Sequence, residues 1–425
     1  MSQLWQICST ILNILFWILI SYPILGSIAW LVGTVCYKYL YKGNKLKYPE
    51  FAHQDEPLVS IVIPAHNEEV CIEATVTYML TELTYSNYEV LVVDDYSTDR
   101  TPFILQKLQE KYPNLRVIRI KSNKGKAHAL NVALAFVRGE FILSNDADTV
   151  PEPDALQKYL RYFTQKGADN IAAITANMNV LNRTKLITKS QTVEFSSIVG
   201  IIKRVEQGVF GGVYAYSGAN TMYRKSAVMD VGLFRQDRAT EDISAAWDQQ
   251  LNGWFAKFAP DIAFYTSVPE TAGALYAQRK RWAKGGIEVW LTNFKKVLCH
   301  PFANIGQTLM FFDQTFSILW AFFFWISIIA SVVLIILNIR TGNLPYILTL
   351  AAVFLSFGII SAVIQLAVAL IIDSQASKLR YLLFAPLYII WWWIVTSLTI
   401  VVSFIPAVYT IRHEGSGTWN SPNRV

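Results

Sequence analysis

No charged residue stands between Met1 and Tyr37 of this 425-residue chain. A segment that apolar cannot be the start of a soluble domain, and a cleaved signal peptide would carry basic residues in front of a shorter apolar core. Cysteine is scarce: Cys8, Cys36, Cys71 and Cys299 stand far apart and form no CxxC pair. That excludes a disulfide framework and a zinc site, leaving buried structural thiols as the expectation. There are five histidines, and neither His66 nor His128 has a second histidine at metal spacing. The glycine patterns of nucleotide folds are missing as well. The loop leaving the first strand reads Pro64-Ala65-His66-Asn67-Glu68, neither Gly-x-Gly-x-x-Gly nor Gly-Lys-Ser/Thr. Although the net charge is +6, no basic patch with RNA-binding motifs occurs, so nucleic acid is not an expected partner.

Apolar runs and lysines are present instead. Lys38, Lys42, Lys45 and Lys47 follow the uncharged start, which therefore reads as a membrane span with its lysine end in the cytosol. Three further apolar blocks, Gln314–Asn338, Leu344–Ile372 and Tyr381–Thr410, are each long enough to span. The middle of the chain carries most of the charge and reads as a cytosolic domain. The expected division is an anchor over 1–40, a catalytic domain over 41–295, an interfacial segment over 296–313, membrane helices over 314–411 and a tail over 412–425. Simple alternation places the tail outside, whereas Arg412, His413 and Arg424 favour the inside. The run Trp391-Trp392-Trp393 lies in an apolar block and is expected to pack against lipid or a neighbouring subunit.

From Leu58 the pattern alternates between strand and helix. Val59, Ile61 and Ile63 open a first strand, and Ile72, Val76, Met79, Leu80 and Leu83 mark one helical face. Val90 to Val93 form a second strand ending in Asp94-Asp95. Thr101 caps a helix with Pro102 at its first position. Leu115 to Ile120 form a third strand, Lys126 to Val137 a helix and Phe141 to Ser144 a fourth strand. Four strands separated by helices predict an α/β fold with a mostly parallel sheet and polar clusters gathered at one sheet edge.

The chemistry centres on Asp146-Ala147-Asp148, directly after the fourth strand. Residues i and i+2 of an extended segment project to one face, and two carboxylates about 5 Å apart repel by roughly 3 kcal/mol at an effective dielectric near 20. A positive group should sit there, and Mg²⁺ or Mn²⁺ suits such hard oxygen ligands, unless the pair is a solvated turn. Later in the chain, Thr240 could cap a helix over Ile243–Gln250 that carries Asp242 in its first turn. Gln278, Arg281 and Trp282 at i, i+3 and i+4 share a helical face, and the same helix has the residues to lie on a membrane surface.

Pro64-Ala65-His66-Asn67-Glu68, Asp94-Asp95, Asp146-Ala147-Asp148, Thr240-Glu241-Asp242 and Gln278-Arg279-Lys280-Arg281-Trp282 stand in this order. Together they resemble the processive inverting family-two glycosyltransferases that make cellulose, chitin and hyaluronan. Pro269-Glu270-Thr271, the run Gln278 to Gly286 and the tail Thr418 to Arg424 are most similar to bacterial poly-β-1,6-N-acetylglucosamine synthases of biofilm matrices. The resemblance covers nearly the whole chain and implies a cytosolic GT-A-like nucleotide-sugar domain joined to transmembrane helices. It implies a cell-membrane, multi-pass protein whose partners are a UDP-sugar donor, a growing polysaccharide acceptor, the bilayer and often a small membrane accessory subunit.

By the resemblance, the donor is held by Pro64, Asn67, Glu68, Asp95, Lys126, Asp146, Gln278 and Arg281. Asn67, Glu68 and Asp95 are implied at the uridine, Lys126 near the nucleotide and Arg281 at the diphosphate. Asp148, with Asp146, is implied to hold the metal; Asp242 is the implied base with Glu241 beside it, and Trp282 is implied to meet the acceptor sugar. Tyr96 departs from the family, many members having Gly after the acidic pair. Glucose, glucuronate and N-acetylglucosamine synthases share these motifs, so another β-linked polymer stays open as the product. Single transfer to a lipid phosphate carrier is weighed against by Gln278 and Trp282, and an inactive transporter or scaffold by Asp146, Asp148 and Asp242.

Overall fold

The strands Val59–Ala65 (β1), Tyr88–Asp94 (β2) and Phe141–Asn145 (β4) are buried along almost every residue rather than at alternate ones. Helices therefore cover both faces of the sheet. In this computed structural model, which describes residues 3–40, 56–338, 344–374 and 378–413, that is the arrangement found. The helices Ile72–Thr81 (α2), Thr101–Lys111 (α3) and Ala155–Phe163 (α5) pack on the face carrying Ile61, Ile63, Val90, Val92 and Leu143. The helix Lys126–Leu134 (α4) covers Val62, Leu91, Val93 and Ile142 on the opposite face. Helix α1 spans Gln3–Leu40.

Leu115–Arg119 (β3), Thr149–Pro151 (β5), Ile171–Val180 (β6), Asn220–Arg224 (β7) and Phe255–Thr266 (β8) complete one eight-stranded sheet of order β3-β2-β1-β4-β7-β6-β8-β5. The expectation of a mostly parallel sheet holds only for its first half. The pairs β1–β2, β1–β4, β2–β3 and β6–β8 are parallel, and β4–β7, β5–β8 and β6–β7 are antiparallel. The mixture arises after β6, where the chain leaves in a long helical excursion rather than a simple crossover. That excursion is α6 (Leu186–Ser197), two π-helical turns at Ile198–Ile202 and Glu206–Phe210, and α7 (Lys203–Val205) between them. The chain re-enters against β4 in the reverse direction, with Asn220 opposite Asn145. Parallel β1 and β2 end level, Ala65 beside Asp94, and β4 ends beside them.

Helix starts differ slightly from expectation. Arg100, not Thr101, is the N-cap of α3, and the N–H of Thr101 donates to Asp99. Thr240 precedes Glu241–Leu251 (α9) but does not cap it with its side chain, because Gly285 lies directly against it. Gly285 belongs to Ala272–Cys299 (α10), and a Cβ there would stand 2.0 Å from Thr240 Oγ1. The absent side chain lets α10 touch the turn that carries Glu241 and Asp242. Gly285→Ala is expected to cost about 1–3 kcal/mol of overpacking strain, more than the ~1 kcal/mol that Ala gains in helix propensity. A lower midpoint of thermal unfolding than wild type, together with reduced sugar transfer, checks it.

The remaining helices are Lys225–Asp230 (α8), Ile305–Asn338 (α11), Leu344–Ser374 (α12), Ala385–Trp391 (α13) and Ser397–His413 (α14). Helix α10 runs through the expected boundary at 295, and α11 begins at Ile305, earlier than the expected 314. Ile287 of α10 packs with Ile318 of α11 and with Ile400 and Ala407 of α14. Among the described residues, Ile305–Ala330 and Leu379–His413 are long and apolar enough to cross a membrane, while Ser21–Tyr37 and Gly358–Asp373 are shorter apolar stretches. Cys36, Cys71 and Cys299 are in no disulfide, and against the expectation of buried thiols Cys36 and Cys71 are half-buried and Cys299 is exposed. Lys42, Lys45, Lys47 and the tail motif Thr418 to Arg424 lie outside the described residues.

Candidate active site

The loops leaving β1 and β2 are tied together by their own polar side chains. Asn67 takes a left-handed φ of 55°, which turns its N–H to Ser97 Oγ (2.9 Å) and its Oδ1 to the N–H of Thr98 (2.8 Å). The N–H of Glu68 donates to Thr101 Oγ1, and the Glu68 carboxylate accepts from Cys71 Sγ. His66 closes the loop through Nδ1 to the carbonyl of Asp95 at 2.8 Å. Tyr96 adopts φ 61°, the conformation that Gly would take at no steric cost, so the turn geometry survives the substitution.

Asp95 is fully buried, and its carboxylate accepts N–H bonds from Lys124 (3.2 Å) and Gly125 (2.8 Å). Gly125 makes that contact at φ 93°, a backbone conformation that L side chains rarely adopt. The turn starts α4 with Lys126 aimed across the sheet edge. Lys126 Nζ lies 2.6 Å from Asp146 Oδ1 and 3.2 Å from Glu241 Oε1, and donates to the carbonyl of Gly218. The positive group expected beside the carboxylate pair is thus, in this structure, an ammonium. Burial alone would lower the affinity of Lys126 for its proton, but Asp146, Glu241 and Asp242 outweigh it and raise the pKa.

Asp146 and Asp148 are both half-exposed on either side of buried Ala147, as residues of one face should be. They stand on the turn between β4 and β5, not on an extension of the strand, and Asp148 Oδ1 accepts from Thr149 Oγ1. Two outward carboxylates fit Mg²⁺ or Mn²⁺, which commonly complete their shell with phosphate oxygens and water. Among the described residues no group of three or more acidic, histidine or cysteine side chains is placed to hold a metal ion.

Asp242 sits on the first turn of α9 with both oxygens engaged. Oδ2 accepts the N–H of Gly218 at 2.9 Å and Oδ1 accepts the N–H of Ile243 at 2.9 Å. Burial and then the neighbouring Glu241 raise its pKa above the usual carboxylate range, against the pull of Lys126, the Gly218 N–H and Arg281. Arg281, itself exposed, therefore stands within electrostatic reach of Asp242. Gln278 and Trp282 are half-exposed on the same helix.

Sequence reasoning missed two features. Gly218 binds Asp242 through its N–H and accepts from Lys126 and Ser144 through its carbonyl, and a Cβ there would lie 2.9 Å from Lys126 Nζ. A turn signal, Ser217-Gly218 ahead of a short strand, was its only trace. The other is Arg279, whose side chain is buried against Glu194.

The glycosyl transferase family 2 profile matches residues 60–232. The poly-β-1,6-N-acetyl-D-glucosamine synthase of Staphylococcus epidermidis is 30% identical over 417 residues, covering 96% of this chain and 98% of that protein. The enzyme of the same name from Staphylococcus aureus strain COL is 32% identical over 413 residues, covering 96% and 97%. Among solved structures, a mannosyltransferase from Pyrobaculum calidifontis in complex with GDP-Man and Mn²⁺ superposes with a TM-score of 0.59 at 20% identity. The match covers 88% of this chain and 99% of that one, and it places the two chains in one GT-A-like fold. Matched by the family profile over residues 60–232 and by such relatives from end to end, the chain is a glycosyltransferase and belongs to glycosyl transferase family 2.

Proposed function

We propose that this enzyme polymerises N-acetylglucosamine from UDP-N-acetylglucosamine into a β-1,6-linked chain on the cytosolic side of the cell membrane and aids export of the product. The observation that carries this reading is the meeting of Asp146, Lys126, Glu241 and Asp242 at the edge where β1, β2 and β4 end. That the relatives are poly-β-1,6-N-acetyl-D-glucosamine synthases supports the sugar and the linkage. The apolar stretches support a membrane protein, read here as multi-pass, with its catalytic domain in the cytosol and a small membrane accessory subunit as a partner. It comprises an anchor over 1–40, a catalytic domain from 41 whose last helix, α10, runs on to Cys299, and membrane helices that begin with α11 at Ile305.

Transfer is read as a direct displacement with inversion. The acceptor hydroxyl oxygen forms a bond to the anomeric carbon, the bond from that carbon to the diphosphate breaks, and UDP leaves with the electron pair. Asp242 takes the hydroxyl proton, a role worth typically 10²–10⁴-fold, and burial beside Glu241 raises its proton affinity above that of an ordinary aspartate. Glu241, through Lys126, holds the charge balance beside it. Pro64, Asn67, Glu68 and Asp95 are assigned to the uridine, either directly or by fixing the loops that frame it. Arg281 and Lys126 face the diphosphate, and Trp282 offers the acceptor sugar a flat apolar platform. Asp148 and Asp146 would hold Mg²⁺ or Mn²⁺, which when bound supplies charge neutralisation for the leaving diphosphate.

Purified protein given UDP-N-acetylglucosamine is expected to release UDP and to yield polymer whose linkage analysis reads β-1,6. Polymer of another linkage, or use of UDP-glucose in its place, overturns the product assignment. Excess chelator is expected to stop UDP release, and added Mn²⁺ or Mg²⁺ to restore it. Full turnover in chelator removes the metal from the scheme.

A further inference from the structure

Arg279 is the member of the run Gln278 to Trp282 that turns inward. Its side chain and that of Glu194 on α6 are each 6% exposed, and Nη2 meets Oε2 at 2.8 Å. Burying such a pair is often no more stabilising than packing apolar groups of the same volume, so stability alone is a weak reason for its presence. The same guanidinium makes two further contacts. Nη1 donates to Gln278 Oε1 at 2.7 Å, and the guanidinium carbon stands 4.1 Å from the centroid of the Trp282 ring. A planar fork can bind a carboxylate, donate sideways to an amide and lie over an indole at once, which a lysine ammonium cannot.

Two consequences follow for the face that α10 presents. The plane of Trp282 is set by the guanidinium above it. The amide of Gln278, which the resemblance implied at the donor, has its oxygen occupied by Arg279, so its NH₂ group, with two donors, is what it has to offer a ligand, and the proposal below moves it to the acceptor. Glu194 is itself anchored, since the adjacent Val193 packs with Leu366, Tyr381, Ala385, Tyr388 and Ile389 of the C-terminal helices. We propose that Arg279 is a positioning residue for the acceptor, orienting the Trp282 ring and the Gln278 N–H donors toward the hydroxyl groups of the growing sugar chain, with Glu194 balancing its charge. The inference rests on the polymerase reading above and adds to it how the acceptor face is held.

The test uses full-length protein in lipid nanodiscs, a β-1,6-linked N-acetylglucosamine oligosaccharide as primer, and UDP binding by calorimetry on the same preparations. Arg279→Lys keeps a charge for Glu194 but loses the stack and the sideways bond. It is expected to raise the primer KM about tenfold or more, while the Kd for UDP changes less than about threefold. Gln278→Glu keeps an oxygen for Arg279 and removes both donors, so it should raise the primer KM in the same way, its added charge falling on the guanidinium that the amide oxygen already meets. The exchange Glu194→Arg with Arg279→Glu restores opposite charges and is expected to recover thermal stability but not the primer KM.

An unchanged primer KM in both R279K and Q278E overturns the inference. So does recovery of the primer KM by the charge exchange, or a parallel loss of UDP affinity, either of which reduces Arg279 to a structural ion pair. Wild-type protein that turns over no UDP-N-acetylglucosamine overturns the polymerase reading and the acceptor role with it. Wild-type protein that polymerises while R279K and Q278E keep its primer KM overturns the acceptor role alone.

Discussion

Asp242→Asn is expected to lower sugar transfer at least about 100-fold while the Kd for UDP stays within a few-fold of wild type. The substitution keeps the size of the side chain and one oxygen for the N–H groups of Gly218 and Ile243, but removes the basic electron pair. The wild-type pH profile carries a second expectation. Burial and Glu241 raise the pKa of Asp242, so the protonated, inactive form persists to higher pH than for an ordinary aspartate. Transfer should therefore rise with pH through an acid limb displaced above the usual carboxylate range, and that limb should vanish in D242N along with most of the activity. Filter-retained radiolabelled polymer across a pH series measures both. Normal polymer yield from D242N refutes the base assignment.

Lys126→Met is expected to have the second large effect, on activity and stability together. Lys126 is the cation between Asp146 and Glu241, and its charge also opposes the raised pKa of Asp242. Methionine matches the stem and removes the charge, leaving three carboxylates to repel one another. Breaking a buried pair by removing one partner typically costs about 3–5 kcal/mol, and the partial exposure of Asp146 places this case at the low end. The sign of the pH effect is definite. Without Lys126 the proton affinity of Asp242 rises further, so the acid limb of transfer moves to higher pH than in wild type. Chemical denaturation gives the stability change and the polymer assay the profile; an acid limb that stays in place shows that Lys126 and Asp242 are not coupled.

Much of the fold could be read from local pattern. Mostly apolar runs at Val59–Ile63, Val90–Val93 and Phe141–Leu143, with helical spacing between them, announced parallel strands, and their burial along both faces came with the structure. Asp146 and Asp148 were legible as two carboxylates directly after a buried strand, although they stand on the turn to β5 rather than on the extended segment from which their shared face was argued. Order and spacing of the acidic motifs sufficed for the family, since residues that serve one reaction recur in one sequence order. Strand β7 was not legible: Asn220-Thr221-Met222-Tyr223-Arg224 is polar, and its burial is made possible by partners elsewhere, such as Glu140 and the rings of Phe141 and Phe163 around Arg224.

By itself the sequence determined that strands and helices alternate, which loops carry carboxylates and which face of α10 holds Gln278, Arg281 and Trp282, because periodicity is a property of neighbours along the chain. Only the tertiary structure decided that β7 runs against β4 and so delivers Gly218 to Asp242. It also decided that the cation beside Asp146 is Lys126 and that Arg279 turns inward onto Glu194. Those pairings join residues far apart in the chain. Their geometry is set by how the sheet closes and how α10 packs on α6 and α9, which no local spacing encodes.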